Sequence, residues 1–133
     1  MHTQQQLLDS LRIEASGVPI YVQLREQLLR LIRTGALPPE AQMPTMRQVA
    51  VAVRADLNTV RHAYEELERL GALVLVRGRG SFVAVNPPAA DPEARAGELD
   101  ALARQTLAAA RTLGLDPHAL SQRIAALAAE KET

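Results

Sequence analysis

The amino-acid sequence predicts a mainly α-helical fold with one small β-hairpin, followed by a short helical tail. Apolar residues recur at helical spacing in several segments, and two short apolar runs flank a glycine-containing turn. The composition changes at Asn86-Pro87-Pro88: all three aromatic residues come before it, and alanine, leucine and charged residues dominate after it. Because adjacent prolines interrupt helices and strands, we expect domains at residues 1–88 and 89–133.

Two elements are predicted near the start of the first domain. Residues 11–14 alternate apolar and charged side chains, which is typical of a short strand. Beyond a turn at residues 16–19, apolar residues at helical spacing predict a helix over residues 20–34, and Gly35 is a typical residue just past a helix end. Residues 1–10 lack the basic-then-apolar order of a secretory signal, and we assign them no role.

The next two helices are joined by a short connection. Thr45 and Gln48 form a T-x-x-Q capping box that begins a helix of about two turns. Asp56 is a candidate N-cap for a longer helix over residues 57–70, in which Tyr64 belongs to the apolar stripe. The opposite face of this helix is polar and carries Asn58, Arg61, His62 and Glu65. Only three residues separate the two helices, which indicates a helix-turn-helix.

A β-hairpin is predicted directly after the second of these helices. Residues 73–76 and 81–85 flank the sequence Arg77-Gly78-Arg79-Gly80, whose glycines permit the positive φ of a tight turn. A hairpin at this place is the wing of a winged helix-turn-helix. Arg79 lies between glycines with no apolar surface to cover, which favours contact with an anion, although an ordinary loop arginine is the alternative.

The polar residues of these elements suit double-stranded DNA. A helix fits the major groove with its N-terminal residues at the base edges, and its free amides favour phosphate. Asn58 suits an adenine edge, Arg61 a guanine or a phosphate, and Thr59 a phosphate oxygen. A solvent-exposed polar face is the alternative, for this helix and for Arg47 and Arg54. The candidate DNA-binding residues are Thr45, Arg47, Arg54, Asn58, Thr59, Arg61, His62, Arg77, Gly78, Arg79 and Gly80.

The tail contains two further predicted helices. Asp91-Pro92 and Asp116-Pro117 each pair an aspartate N-cap with proline at the first helical position, which predicts helices over residues 92–113 and 117–129. Their apolar faces are too small to be stable alone, so we expect a second copy of the chain to pack on them. The candidate dimerisation residues are Leu99, Leu102, Thr106, Leu113, Leu120, Ile124 and Leu127.

Composition excludes several classes of function. With no cysteine there is no disulfide, thiol nucleophile or cysteine-ligated metal, and the histidines lack metal-ligand spacing. We therefore expect no enzyme activity and no cofactor. No apolar run reaches the roughly 20 residues of a membrane span, so we expect a cytoplasmic protein. The net charge is zero, with 10 Arg against 8 acidic residues in positions 1–88, so affinity for DNA must come from a local basic patch.

Five ordered motifs carry a family resemblance. They lie at residues 19–23, 35–40, 43–50, 56–64 and 78–83, and read PIYVQ, GALPPE, MPTMRQVA, DLNTVRHAY and GRGSFV. In this order and spacing they resemble the winged-helix domain of the GntR family of bacterial transcription regulators. The resemblance covers about residues 11–86 and implies that Arg47, Asn58, Thr59, Arg61 and the wing tip contact DNA. Leu57 stands where many members have arginine or another polar residue.

The tail of about 45 residues resembles that of the YtrA subfamily, whose members dimerise through it. This resemblance implies a homodimeric regulator, most often a repressor, that places two recognition helices in successive major grooves of a near-palindromic operator. A small-molecule effector of unknown identity is compatible with it. The alternative function is a winged-helix module that binds a protein and not DNA.

Overall fold

The structure, a computed structural model, describes residues 4–132 in two compact units, one up to Ala90 and one from Asp91. The first unit contains α1 (Gln4–Ser10), α2 (Ile20–Arg33), α3 (Met46–Val53), α4 (Leu57–Arg69) and the antiparallel strands β1 (Leu73–Val76) and β2 (Gly80–Val83). The second unit contains α5 (Pro92–Thr112) and α6 (Pro117–Glu132). The predicted mainly helical fold with a small hairpin is confirmed.

The core of the first unit surrounds α4, which packs against α2, α3 and β1. The largest fully buried side chains are Leu24, Leu28, Val49, Val60, Leu67 and Val83. Burying a side chain of this kind contributes roughly 1.5–3 kcal/mol. Ile20, the first residue of α2, and Leu70, directly after the end of α4, remain 39% and 40% exposed. Because its rear face is fixed in this core, α4 presents its opposite face to solvent.

The helix ends are fixed by the residues that the sequence indicated. The Gln48 backbone N–H donates to the Thr45 hydroxyl (3.1 Å) and the Thr45 N–H donates to Gln48 Oε1 (2.8 Å), which completes the capping box. Asp56 accepts from the Asn58 N–H at 3.5 Å and caps α4. Between them Arg54 adopts the left-handed conformation with φ 55° and closes α3. The helix-turn-helix is confirmed.

The predicted strand at residues 11–14 is wrong. No strand forms there; the backbone is bound by two glutamine side chains of α2. The Arg12 N–H donates to Gln27 Oε1 (2.9 Å), and Gln27 Nε2 donates to the Arg12 carbonyl oxygen (2.5 Å). Gln23 bonds both backbone groups of Glu14 in the same way, each at 2.9 Å.

The spacing of these glutamines explains why they replace a strand. Four helical residues rise about 6 Å, close to the roughly 6.6 Å of two extended residues. The alternating pattern did predict which side chains face the core, since Leu11 is buried and Ile13 packs against the core. What it did not reveal was the partner, because side-chain amides satisfy the same backbone groups that a second strand would.

Three other elements differ from expectation. Helix α1, in a segment to which the sequence analysis assigned no element, buries Leu7 and Leu8. Strand β2 begins at Gly80 and ends at Val83, where residues 81–85 were predicted, and Gly80 pairs with Val76. Helix α6 extends to Glu132, three residues past the predicted end.

The second unit buries little of its own surface. Among the residues described there, Ala110 is the one buried apolar side chain. Leu99 and Leu113 are each 71% exposed, Leu102 is 61% exposed, and Ile124 and Leu127 are 51% and 43% exposed. Thr106 and Leu120 are half-buried. In the part of the chain that the structure describes, no helix has the length and apolar character needed to cross a membrane.

Candidate nucleic-acid interface

The exposed face of α4 carries the polar side chains singled out from the sequence. Asn58 and Arg61 are exposed, Thr59 is half-buried, and Arg61 Nη1 donates to Asn58 Oδ1 at 2.6 Å. His62 is exposed but stacks on the Tyr21 ring of α2, with ring centroids 3.8 Å apart and an interplanar angle of 14°. Asn58 and Arg61 therefore form one polar pair, whereas one ring face of His62 is covered by Tyr21.

The wing is held by the segment that leads into α3. The Met43 N–H donates to the Ser81 carbonyl (2.8 Å), the Val83 N–H to the Ala41 carbonyl (2.8 Å) and the Glu40 N–H to the Val83 carbonyl (3.0 Å). These bonds line residues 40–43 against β2 on the side away from β1. They fix the wing relative to the start of α3, so that the wing tip and the N-terminal end of α3 line the same groove.

The wing tip depends on its two glycines. Gly78 has φ 79° and Gly80 has φ 115°, values that residues with a Cβ rarely adopt. A Cβ at Gly80 would also lie 3.3 Å from Gln42 Nε2, which donates to the Arg79 carbonyl at 3.1 Å. The glycines and Gln42 thus set the loop that exposes Arg77 and Arg79.

A groove of about 370 Å³ joins the N-terminal ends of α3 and α4 to the wing. It brings together five of the predicted DNA-binding residues: Thr45, Arg47, Arg61, Arg79 and Gly80. The other six lie outside its lining: Arg54, Asn58, Thr59, His62, Arg77 and Gly78. Asn58 is hydrogen-bonded to one of the lining residues, Arg61. Arg61 and Arg79, 18 positions apart in the sequence, therefore line one surface.

The arginines of this region are available to an external anion. Within residues 4–130, the ion pairs include no carboxylate partner for Arg47, Arg54, Arg61, Arg77 or Arg79. The other end of α4 differs, because Glu66 binds Arg69 at 2.8 Å and Arg25 at 3.2 Å. The pKa of Glu66 is lowered first by the Arg69 hydrogen bond, and Glu66 in turn raises the pKa of Arg69.

Tyr64 has a structural role, as its place in the apolar stripe indicated. Its hydroxyl donates to the Pro44 carbonyl at 2.5 Å, and the ring is 2% exposed. Burial raises the pKa of Tyr64 well above its ordinary value, so the hydroxyl stays protonated as a donor. Since Pro44 directly precedes the N-cap of α3, this bond holds both helices of the motif together. The described residues contain no group of three acidic or histidine side chains suited to a metal ion.

Sequence reasoning missed several residues of the groove. Leu57, Leu75 and Ser81 line it, and Gln42 anchors the wing. Leu75 in β1 is 58% exposed, and the continuous apolar sequence of this strand does not show which of its side chains are exposed. Gln42 lies in a loop without periodicity, and its role is visible only in the fold, through its bridge to Phe82 in β2 and its hydrogen bond to the Arg79 carbonyl.

Comparison with known proteins assigns the chain to a family. Residues 20–83 match the family model described as bacterial regulatory proteins, gntR family. The HTH-type transcriptional regulator Rv1152 of Mycobacterium tuberculosis is 40% identical over 112 residues, which are 83% of this chain and 87% of the relative. The chain belongs to the gntR family.

A second relative and a solved structure are also similar to this chain. The HTH-type transcriptional repressor YtrA of Bacillus subtilis is 30% identical over 115 residues, 86% of this chain and 88% of that protein. The DNA-binding domain of AraR, solved in complex with operator ORX1, has a TM-score of 0.50 and 29% identity, covering 54% of this chain and 87% of that one. The predicted resemblance and the function as a DNA-binding transcriptional regulator are confirmed.

Proposed function

We propose that this gntR-family regulator represses transcription by binding a near-palindromic operator as a homodimer, with one α4 in each of two major grooves. The observation that supports the proposal most is the single groove shared by the start of α3, the start of α4 and the wing tip, which contains arginines that have no carboxylate partner among the described residues. Such a surface gives a chain of zero net charge a local site for the DNA backbone.

The proposed contacts divide into base-reading and phosphate-binding groups. Arg61 and Asn58 act as one unit at the base edges, because Asn58 Oδ1 accepts from Arg61 and the Asn58 amide N–H groups remain available as donors. The phosphate group comprises Thr45, Arg47, Arg54, Thr59, His62, Arg77, Gly78, Arg79 and Gly80. Arg47, Arg61 and Arg79 lie around a groove that also contains apolar residues, and these three cations favour DNA over the alternative function, a docking site for a protein.

The dimer is supported by the state of the tail. Helix α5 has 21 residues and buries only Ala110, while Leu99 and Leu102 in the helix and Leu113 directly after it are exposed. A pair of helices with so little burial gains too little from the hydrophobic effect to fold alone. A second copy that covers these leucines supplies the missing burial and places two recognition helices on one DNA. We place this dimer in the cytoplasm, where bacterial DNA is found.

The DNA contacts are tested by measuring operator affinity against salt concentration by fluorescence anisotropy. Arg79→Ala should reduce the slope of log K against log salt by about 0.9 per subunit. Asn58→Ala should relax preference at one base position by about 1–3 kcal/mol. Arg33→Ala, which changes an exposed arginine outside the groove, is the control. Normal binding by both Arg79→Ala and Asn58→Ala would refute the contact assignment.

The dimer is tested by sedimentation velocity on matched variants of α5. Leu102→Asp should produce monomers and weaken operator binding, because the introduced charge faces the proposed partner. Ala108→Asp introduces the same charge at an exposed position off the leucine face and should leave the dimer intact. An intact dimer of Leu102→Asp would contradict the proposed tail interface.

A further inference from the structure

Leu57 is an apolar residue among the arginines of the groove. It is the first residue of α4, directly after the Asp56 N-cap, and its half-buried side chain lines the groove with Arg61 and Arg79. It belongs neither to the buried core cluster nor to the partly buried apolar residues packed against that cluster. Core packing therefore does not explain an apolar side chain at this position.

The place of Leu57 on the recognition helix limits what it can contact. Residues at the N-terminus of a recognition helix lie against base edges when the helix enters the major groove. A leucine cannot exchange hydrogen bonds there, and the thymine 5-methyl is the apolar group that base edges present in that groove. We propose that Leu57 determines operator specificity by packing against the 5-methyl group of one thymine in each half-site. This inference rests on the placement of α4 proposed above.

Leu75 is a matched control for this proposal. It also lines the groove and is 58% exposed, but it lies on β1 of the wing, opposite Ser81, and not at the start of α4. If any exposed leucine in the groove acted through general apolar contact, both leucines would behave alike. If Leu57 contacts a thymine methyl group, only the replacement of Leu57 should abolish the loss of affinity that follows removal of that methyl group.

The experiment uses the full-length chain and an operator that the wild-type protein selects from a random duplex library. Each thymine of the operator is replaced in turn by uracil, which removes the methyl group and keeps the base pair. For the wild-type protein, one position in each half-site should show a loss of affinity of about fourfold. Leu57→Ala should bind the thymine and uracil duplexes at that position equally, and Leu75→Ala should keep the fourfold difference.

Some results would overturn the role of Leu57 without affecting the placement of α4. Two of them are a selected operator that tolerates uracil at every position and a Leu57→Ala variant that keeps the wild-type penalty. A library that yields no consensus would overturn the placement of α4 together with the role of Leu57. Equal loss of methyl discrimination in Leu57→Ala and Leu75→Ala would also contradict the proposal, because it would show that the effect is not specific to the start of α4.

Discussion

Replacing Tyr64 with phenylalanine tests whether one buried hydrogen bond holds the helix-turn-helix together. The ring is 2% exposed, and its hydroxyl donates to the buried Pro44 carbonyl at 2.5 Å. Tyr64→Phe keeps the ring but leaves that carbonyl without its donor. An unsatisfied buried acceptor costs about 1–3 kcal/mol of folding free energy. For a unit of this size, each kcal/mol lowers Tm by roughly 4–8 °C.

The assay is urea unfolding followed by circular dichroism, with Tyr21→Phe as the matched control. Tyr21 is half-buried and stacks on His62 through its ring, and no hydrogen bond of its hydroxyl is found within residues 4–130. The control should change the free energy of unfolding by less than about 0.5 kcal/mol. If Tyr64→Phe were as stable as Tyr21→Phe, the bond to Pro44 would contribute nothing and the argument would fail.

The pH dependence gives a second check on Tyr64. Burial raises its pKa in the folded state, so above the ordinary value of about 10 only the unfolded chain loses this proton. The stability advantage of the wild type over Tyr64→Phe should therefore be complete below about pH 10 and shrink as the pH rises beyond it. An advantage that stayed constant up to pH 11 would contradict the assigned burial of the hydroxyl.

Three further predictions follow from local contacts. Gln27→Ala removes two hydrogen bonds to the backbone of Arg12 and should cost about 1–2 kcal/mol in urea unfolding; no loss would contradict the amide pairing. Glu66→Gln should be less stable than the wild type at neutral pH but not in acid. The lowered pKa of Glu66 stabilises the fold above about pH 4.3, and this contribution disappears as the pH falls through the lowered value. Thermal melts of wild type and Glu66→Gln should therefore converge at that acid pH. Arg54→Gly should relieve the left-handed backbone and raise stability by about 0.5–1 kcal/mol while weakening operator binding in anisotropy titrations; unchanged affinity would remove Arg54 from the interface.

The sequence predicted those parts of the fold whose causes are local. The capping box of Thr45 and Gln48 and the N-cap Asp56 act within three residues of where they stand, and each forms as predicted. The wing turn also follows from neighbouring residues, since Gly78 and Gly80 have the positive φ that the turn requires. Features of this kind are readable because the residues that cause them are adjacent in the chain.

The parts that the sequence did not reveal depend on partners distant in the chain. Gln23 and Gln27 act as a substitute strand only because α2 lies beside residues 11–14, and glutamine in a helix carries no sign of this. Likewise, Arg79 reaches the groove of Arg61 through main-chain bonds between residues 40–43 and β2, which leave no pattern in side-chain types. The candidate arginines could be identified from neighbouring residues in the sequence. That three of them line one groove could be seen only in the folded structure.

The way in which the hairpin is attached separates the stability of the folded subunit from the proposed contact of the wing tip with DNA. It is fastened mainly by carbonyl and amide groups of the main chain, together with the side chain of Gln42, so the identities of residues 77 and 79 contribute little to its attachment. In the proposed DNA complex, replacing these two side chains would change how long the regulator stays on a promoter without weakening the folded subunit. Variants that differ only at residues 77 and 79 would then differ in promoter occupancy while melting at similar temperatures.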